Sequence, residues 1–163
     1  LAAFFGTLYG AESQSDSPKT WVRSLKTDLD FLADAGLIDT ALRKALAQRG
    51  EQTRPAELRT GLDYVDPVAK NFVVNEHGIH AIDVESLQRK VPLGTGIAKA
   101  AVHWLTDDHL PEFVEQVERA GGLTLKGQMP FVELCFRVGW TKRKLLQGKH
   151  RSVRIELLRT LVE

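Results

Sequence analysis

MPFVELCFRVGWTKRKLLQGKHRSVRIELLRTLVE, residues 129–163, is the stretch whose reading decides the fold. From Lys126 to Glu163 the chain holds nine basic residues (Lys126, Arg137, Lys142, Arg143, Lys144, Lys149, Arg151, Arg154 and Arg159). Against them stand Glu133, Glu156 and Glu163, a formal balance of +6. Leu1–Leu125 carries 13 basic and 18 acidic residues, a balance of −5, so an overall charge of +1 hides a mildly acidic body with a basic end. Such asymmetry points to a polyanionic partner, nucleic acid first.

The apolar residues Phe131, Val132, Leu134, Cys135, Phe136 and Val138 predict a short buried helix, which Gly139 breaks. Thr141 is placed to cap a second helix over 142–147, with Leu145 and Leu146 inward and Gly148 as its stop. A third helix from Val153 sets Leu157, Leu158, Leu161 and Val162 on its inner stripe. Lys142, Arg143 and Lys144 then occupy the first turn of their helix, where each cation costs roughly 0.3–1 kcal/mol at low salt. A phosphate at that N-terminus would offset the cost; a solvated charged surface is the alternative.

Helix, glycine turn, helix, loop, helix is the layout of a helix-turn-helix. The segment resembles that family: Cys135 sits four before Gly139, Trp140 follows the turn, and Leu145 holds the inward position of the second helix. GKHRSVRIELLRTLVE is similar to the basic loop and next helix of phage-repressor-type readers, although Gly148 leaves the reading helix short. The resemblance implies contacts to nucleic acid, duplex DNA above all, from Lys142, Arg143, Lys144, Lys149, His150, Arg151 and Arg154. A second segment, with Ser24, Leu25, Asp28, Leu29, Leu32, Ala35, Gly36, Leu37 and Ile38, resembles the last helix of winged-helix regulators. Its outer face carries Asp28, Asp30 and Asp34 against Arg23 and Lys26, a poor surface for DNA, so a winged-helix shape here is expected to pack on protein.

Elsewhere, Leu1, Phe4, Phe5, Leu8 and Tyr9 mark one face of a first helix, whose small other face (Ala2, Ala3, Gly6, Gly10) suits close packing on a neighbouring helix or self-association through Leu1–Ala11. Ser13–Ser17 reads as a polar link. Pro18 opens a helix with Trp21, Leu25, Leu29 and Leu32 inward, and Asp39 caps another to Gln48, ahead of Gly50. Residues 51–61 are polar, and Asp66-Pro67 is a turn or cap signal. NFVVNEHGIHAID predicts a β-hairpin turning at Asn75–Gly78, which needs cover from helices or a third strand. Val84–Lys90 reads as a short helix, Ile97–Leu105 as another, and Asp107/Asp108 cap a helix to Ala120. Leu123–Leu125 suits a short strand.

At 163 residues and 18.2 kDa the chain suits one domain or two small ones, a body over 1–125 with its hairpin near 71–83 and a basic unit over 126–163. With 43% hydrophobic and 26% charged residues it is globular rather than disordered. One cysteine, Cys135, excludes an internal disulfide and reads as a small buried residue, expected in a cytoplasmic, nucleoid or nuclear compartment. No apolar run approaches a membrane span. The opening at Leu1 and the close inside a helical pattern are what a piece of a larger protein would show.

Gly94-Thr95-Gly96-Ile97-Ala98-Lys99 lacks both the P-loop spacing and the third small residue of a dinucleotide fingerprint, so it reads as a loop and helix start, with no cofactor implied. His77, His80 and His103, with Asp107, would make a zinc site only in a fold that gathered them. No Ser/His/Asp or Cys/His order is recognisable. The expectation is a mostly helical α+β fold, with a winged-helix-like body and a C-terminal helix-turn-helix-like unit. Its expected function is non-catalytic nucleic-acid binding. The alternatives are a scaffold domain docking on an acidic protein and a metal-dependent enzyme around the histidines.

Overall fold

A computed structural model of the chain describes residues 1–106, 108–149 and 152–162. The fold is α+β and mostly helical. In chain order the elements are α1 (Ala2–Ala11), β1 (Ser13–Asp16), α2 (Lys19–Asp34), α3 (Thr40–Thr53), β2 (Leu58–Tyr64), β3 (Phe72–Asn75), β4 (Gly78–Ala81), β5 (Leu87–Pro92), α4 (Thr95–Ala101), α5 (Leu110–Gly121), α6 (Met129–Leu146) and α7 (Val153–Arg159). Short 3-10 turns cover Ala69–Asn71 and Val84–Ser86. No helix among the described residues is long and apolar enough to cross a membrane.

The decisive stretch folds differently from its sequence reading. Residues 129–146 form one unbroken helix that runs straight through Gly139. A glycine inside a helix costs about 1 kcal/mol relative to alanine. That is small beside the burial of Phe131, Leu134, Val138 and Trp140 along the same helix. Thr141, expected as a cap, lies inside the helix and donates its hydroxyl to the Arg137 carbonyl at 2.8 Å. The true stop is Gly148, at φ 65°, where the amides of Gly148 and Lys149 bond the carbonyls of Leu145 and Lys144, each at 2.8 Å. The turn at Gly139 is therefore absent, and the basic end is a long helix followed by α7. The electrostatics reverse as well. Arg143 and Lys144 stand in the last turn of α6, where the dipole favours cations, so nothing there requires a phosphate.

The sheet was largely hidden in the sequence. Its order is β1-β2-β5, antiparallel throughout. Strand β1 replaces the polar link, β2 replaces part of the polar stretch, and β5 replaces the expected helix over 84–90. All four residues of β1 are exposed, as are the first four of β5, so neither edge strand shows the alternation that marks a half-buried strand. No strand forms at Leu123–Leu125. The hairpin is as expected, with Phe72 opposite Ala81 and Asn75 opposite Gly78. It is covered on one side only: Phe72 packs at 5.3 Å from the Tyr64 ring and 5.9 Å from Phe4, while Val73, Val74 and Ile79 are exposed.

Two groups of buried side chains hold the layers. In one, Leu25, Leu29 and Leu32 of α2 and Leu42 and Leu46 of α3 meet Leu134 and Val138 of α6 and Ile155 and Leu158 of α7. Helix α2 thus buries its leucine stripe against α3, α6 and α7. In the other, Phe5 and Tyr9 of α1 meet Tyr64, Ile97, Val114 and Val117. Helix α1 sets its small face against α5: a Cβ on Gly6 would lie 2.5 Å from that of Ala120. Asp39 caps α3 as expected, accepting from Leu42 N at 2.7 Å, but the helix continues through Gly50 to Thr53. Gly50 is there for packing, since a Cβ would come within 2.7 Å of Leu25 Cδ2.

Candidate functional site

The turn Gly94–Gly96 already holds an anion of the chain's own. Asp63, fully buried in the central strand, accepts from Gly96 N at 3.0 Å and from the Tyr9 hydroxyl at 2.8 Å, and that hydroxyl in turn accepts from Gly94 N at 3.1 Å. A Cβ on Gly96 would stand 2.2 Å from the Tyr64 carbonyl, so the close approach of α4 to β2 demands glycine. Burial pushes the Asp63 carboxyl up to about 6, even though the Gly96 amide and Tyr9 hydroxyl favour its charged form. Desolvation and the neighbouring carboxylate push Tyr9 up as well. The Gly-Thr-Gly segment is a loop and helix start, as its spacing implied.

Strand β2 leads from this hub into a polar cluster made by Asp66, Asn71 and Asp83. Asn71, which is 5% exposed, places its Nδ2 3.4 Å from Asp66 Oδ2, 3.2 Å from Asp83 Oδ2 and 2.9 Å from the Asp66 carbonyl. Each carboxylate is held from a second side. Asp83 accepts from Ser86 Oγ at 2.7 Å and from Glu85 N at 3.2 Å, and Asp66 pairs with Lys99 Nζ at 2.9 Å. Partial burial pushes Asp66 up. The bond and charge of Lys99, then Lys70 and Asn71, outweigh that and hold it below its ordinary value. Hairpin β3–β4 lies between Asn71 and Asp83 in the chain, so its closure brings the second carboxylate back to the amide.

In this cluster the Asn71 NH2 group donates to both carboxylates, so a cation would need the amide turned to present Oδ1 in its place. Two carboxylates and an amide oxygen would suit a hard divalent cation such as magnesium better than zinc. The histidines are not gathered. His77 and His80 are exposed beside the hairpin turn, and His103 packs its ring 5.8 Å from Trp140; among the described residues no three His, Cys, Asp or Glu side chains converge. Asp107 lies outside the described residues.

The basic residues of α6 and α7 divide over two faces. Lys142 Nζ is 2.6 Å from Asp28 Oδ1 and sits over the Phe31 ring, tied to α2. Arg137 is buried in a pair with Glu133. On the other face Arg143, Lys144, Lys149 and Arg154 meet Lys99 from α4. Arg154 stacks 4.7 Å over the Trp140 ring and donates to the Lys149 carbonyl at 2.8 Å. Lys144 is held below its ordinary value by burial and then by the charges of Lys99, Lys149, Arg154 and Arg143. His150 and Arg151, expected in the same site, lie outside the described residues.

Cys135 lies on α6 beside α2, and burial pushes its thiol up to about 12. No family model, curated protein or solved structure matches this chain. Asp66, Asn71 and Asp83 were not singled out from the sequence, where Asp66-Pro67 reads as a turn or cap signal. The available signal was Asp-x-x-x-x-Asn opening a predicted hairpin, with a third polar residue, Asp83, just beyond it.

Proposed function

We propose that Asp66, Asn71 and Asp83 form a phosphoryl-transfer centre. The observation that carries this is the Asn71 amide spanning two carboxylates, one of which stands five positions before it. Asp-x-x-x-x-Asn is the spacing of the protein-kinase catalytic loop, where the aspartate accepts the acceptor hydroxyl's proton while the asparagine and a later aspartate hold magnesium. On that pattern Asp66 is the proton acceptor, and Asn71 and Asp83 would hold the cation, which neutralises phosphate charge when bound. The acceptor oxygen forms a bond to the terminal phosphorus of a nucleoside triphosphate as the bridging P–O bond breaks. The diphosphate leaves with the electron pair, and the acceptor's proton passes to Asp66. Lys99 keeps Asp66 ionised and oriented. The chain departs from the pattern in carrying Tyr64-Val65 before Asp66, Val84-Glu85 after Asp83, and no glycine-rich phosphate cover. The test is magnesium-dependent phosphate release from ATP, with water as acceptor. Asp66→Asn is expected to lower the rate by about 10²-fold or more, and an unchanged rate would defeat the assignment.

A second reading, nucleic-acid binding, draws on the mutual crowding of Lys99, Arg143, Lys144, Lys149 and Arg154. Phosphates would dominate the affinity, and binding to duplex DNA would fall steeply with salt, by a log–log slope of about −0.9 per phosphate neutralised. An acidic protein docking on the same cations would instead give little duplex binding at physiological salt.

A further inference from the structure

Resting on the phosphoryl-transfer reading, we infer that the acceptor is a small anion, whose acidic group seats among Lys99, Arg143 and Lys144 beside Asp66. A cavity of about 240 Å³ lies there, walled by Asp66, Lys99, Trp140, Arg143, Lys144 and Gln147, among others. Asp66 lines it but Asn71 and Asp83 do not, so it opens on the side of the proton acceptor, away from the side that would hold the cation. Its size suits a small molecule rather than a folded partner.

The charge in the cavity is unbalanced. Three cations face one carboxylate, and Lys99 already pairs with it at 2.9 Å. Two neighbouring groups register the excess. Lys144 is held down by burial and then by four cations, and His103 by burial and then Lys99, with Lys144 and Arg154 adding to it against Asp66. Arg143 and Lys144 project from the last turn of α6, and the wall behind them is Phe136 stacked on Trp140 with ring planes 16° apart. A phosphate or carboxylate supplies what this pocket lacks, negative charge. A hydroxyl on the same molecule would then be close to Asp66.

Glycerol 3-phosphate carries both groups, and glycerol carries the hydroxyls alone. Calorimetric titration of the wild-type chain is expected to show binding of glycerol 3-phosphate and none of glycerol. Arg143→Ala with Lys144→Ala should weaken the former by about tenfold or more, while Arg143→Lys with Lys144→Arg should restore most of it. Manganese binding, read by electron paramagnetic resonance, should be unchanged in the double-alanine variant, which also reports that the fold and the Asn71–Asp83 site are intact. Equal binding of glycerol 3-phosphate by wild type and the double variant overturns the proposal. So does binding to duplex DNA without binding to glycerol 3-phosphate, which would make the cations a polymer-binding face. If glycerol 3-phosphate binds through Arg143 and Lys144 but manganese does not bind at all, the phosphoryl-transfer reading fails, and the acceptor role of the pocket fails with it.

Discussion

Lys142 Nζ stands 2.6 Å from Asp28 Oδ1, and this pair joins α6 to α2. Successive helix residues are turned by about 100°, so Lys142 and Lys144 in one Lys-Arg-Lys run point to different faces. The first is neutralised by Asp28 of α2; the second lies among cations and hydrogen-bonds Gln147.

The two lysines should therefore behave oppositely. Lys142→Ala is expected to lower stability by about 1 kcal/mol, the pair being partly exposed, and to leave any salt-dependent polyanion binding unchanged. Lys144→Ala should leave urea stability within about 0.5 kcal/mol and, if duplex DNA binds, flatten its log–log salt slope by about one. A flattened slope in the Lys142 variant would place that side chain on the binding face instead.

The buried Asp63 makes a specific pH signature. Its folded value of about 6 lies above the ordinary 3.8, so the folded state binds this proton more tightly than the unfolded state does. Its contribution to stability is therefore greatest below 3.8 and falls as pH rises through 6. The whole window is worth on the order of 3 kcal/mol. Subtracting the urea stabilities of Asp63→Asn from those of wild type at pH 4.5 to 7.5 should give a difference that moves against wild type as pH rises. A pH-independent difference would mean that Asp63 is solvated.

Gly96→Ala tests the same hub sterically. The added Cβ would lie 2.2 Å from the Tyr64 carbonyl, which is backbone and cannot rotate away. A loss of about 1–3 kcal/mol is expected in chemical denaturation. A neutral result would show that α4 and β2 are farther apart.

Cys135 should be slow to react. With its thiol pushed up to about 12, almost no thiolate exists at pH 8, and the side chain packs beside the α2 core. Labelling by a disulfide reagent is expected only after addition of urea. Rapid labelling of the native chain would contradict this packing.

The parts legible in the sequence were those whose residues report their own burial or turn. The Leu25–Leu29–Leu32 stripe carries the 3.6 period of a helix with one buried face, and the Phe72–Ala81 hairpin is marked by its β-branched run and its Asn75–Gly78 turn, although most of its residues are exposed. The interior of β2 carries neither signal, because its centre holds Gly61 and Asp63, residues that disfavour a strand taken alone. They are buried for tertiary reasons: a Cβ on Gly61 would be 2.1 Å from the Glu12 carbonyl, and Asp63 serves the start of α4. Gly139 misled for the converse reason, since its local preference to break a helix is outweighed by the packing on either side of it. The basic end was legible as charge but not as geometry; a continuous helix sorts the same residues onto two faces. The polar cluster was written in the spacing of Asp66 and Asn71, but only the hairpin's closure shows that Asp83 belongs with them.

The most direct test is manganese binding by the wild-type chain, followed by electron paramagnetic resonance, against Asn71→Ala, Asp83→Asn and a control, Asp30→Asn, in the half-buried pair with Arg43. A phosphoryl-transfer centre at Asp66, Asn71 and Asp83 should bind the ion in wild type and the control alike, with affinity about tenfold weaker or worse in each of the other two. Binding that is absent in wild type, or equal in all four proteins, would contradict it.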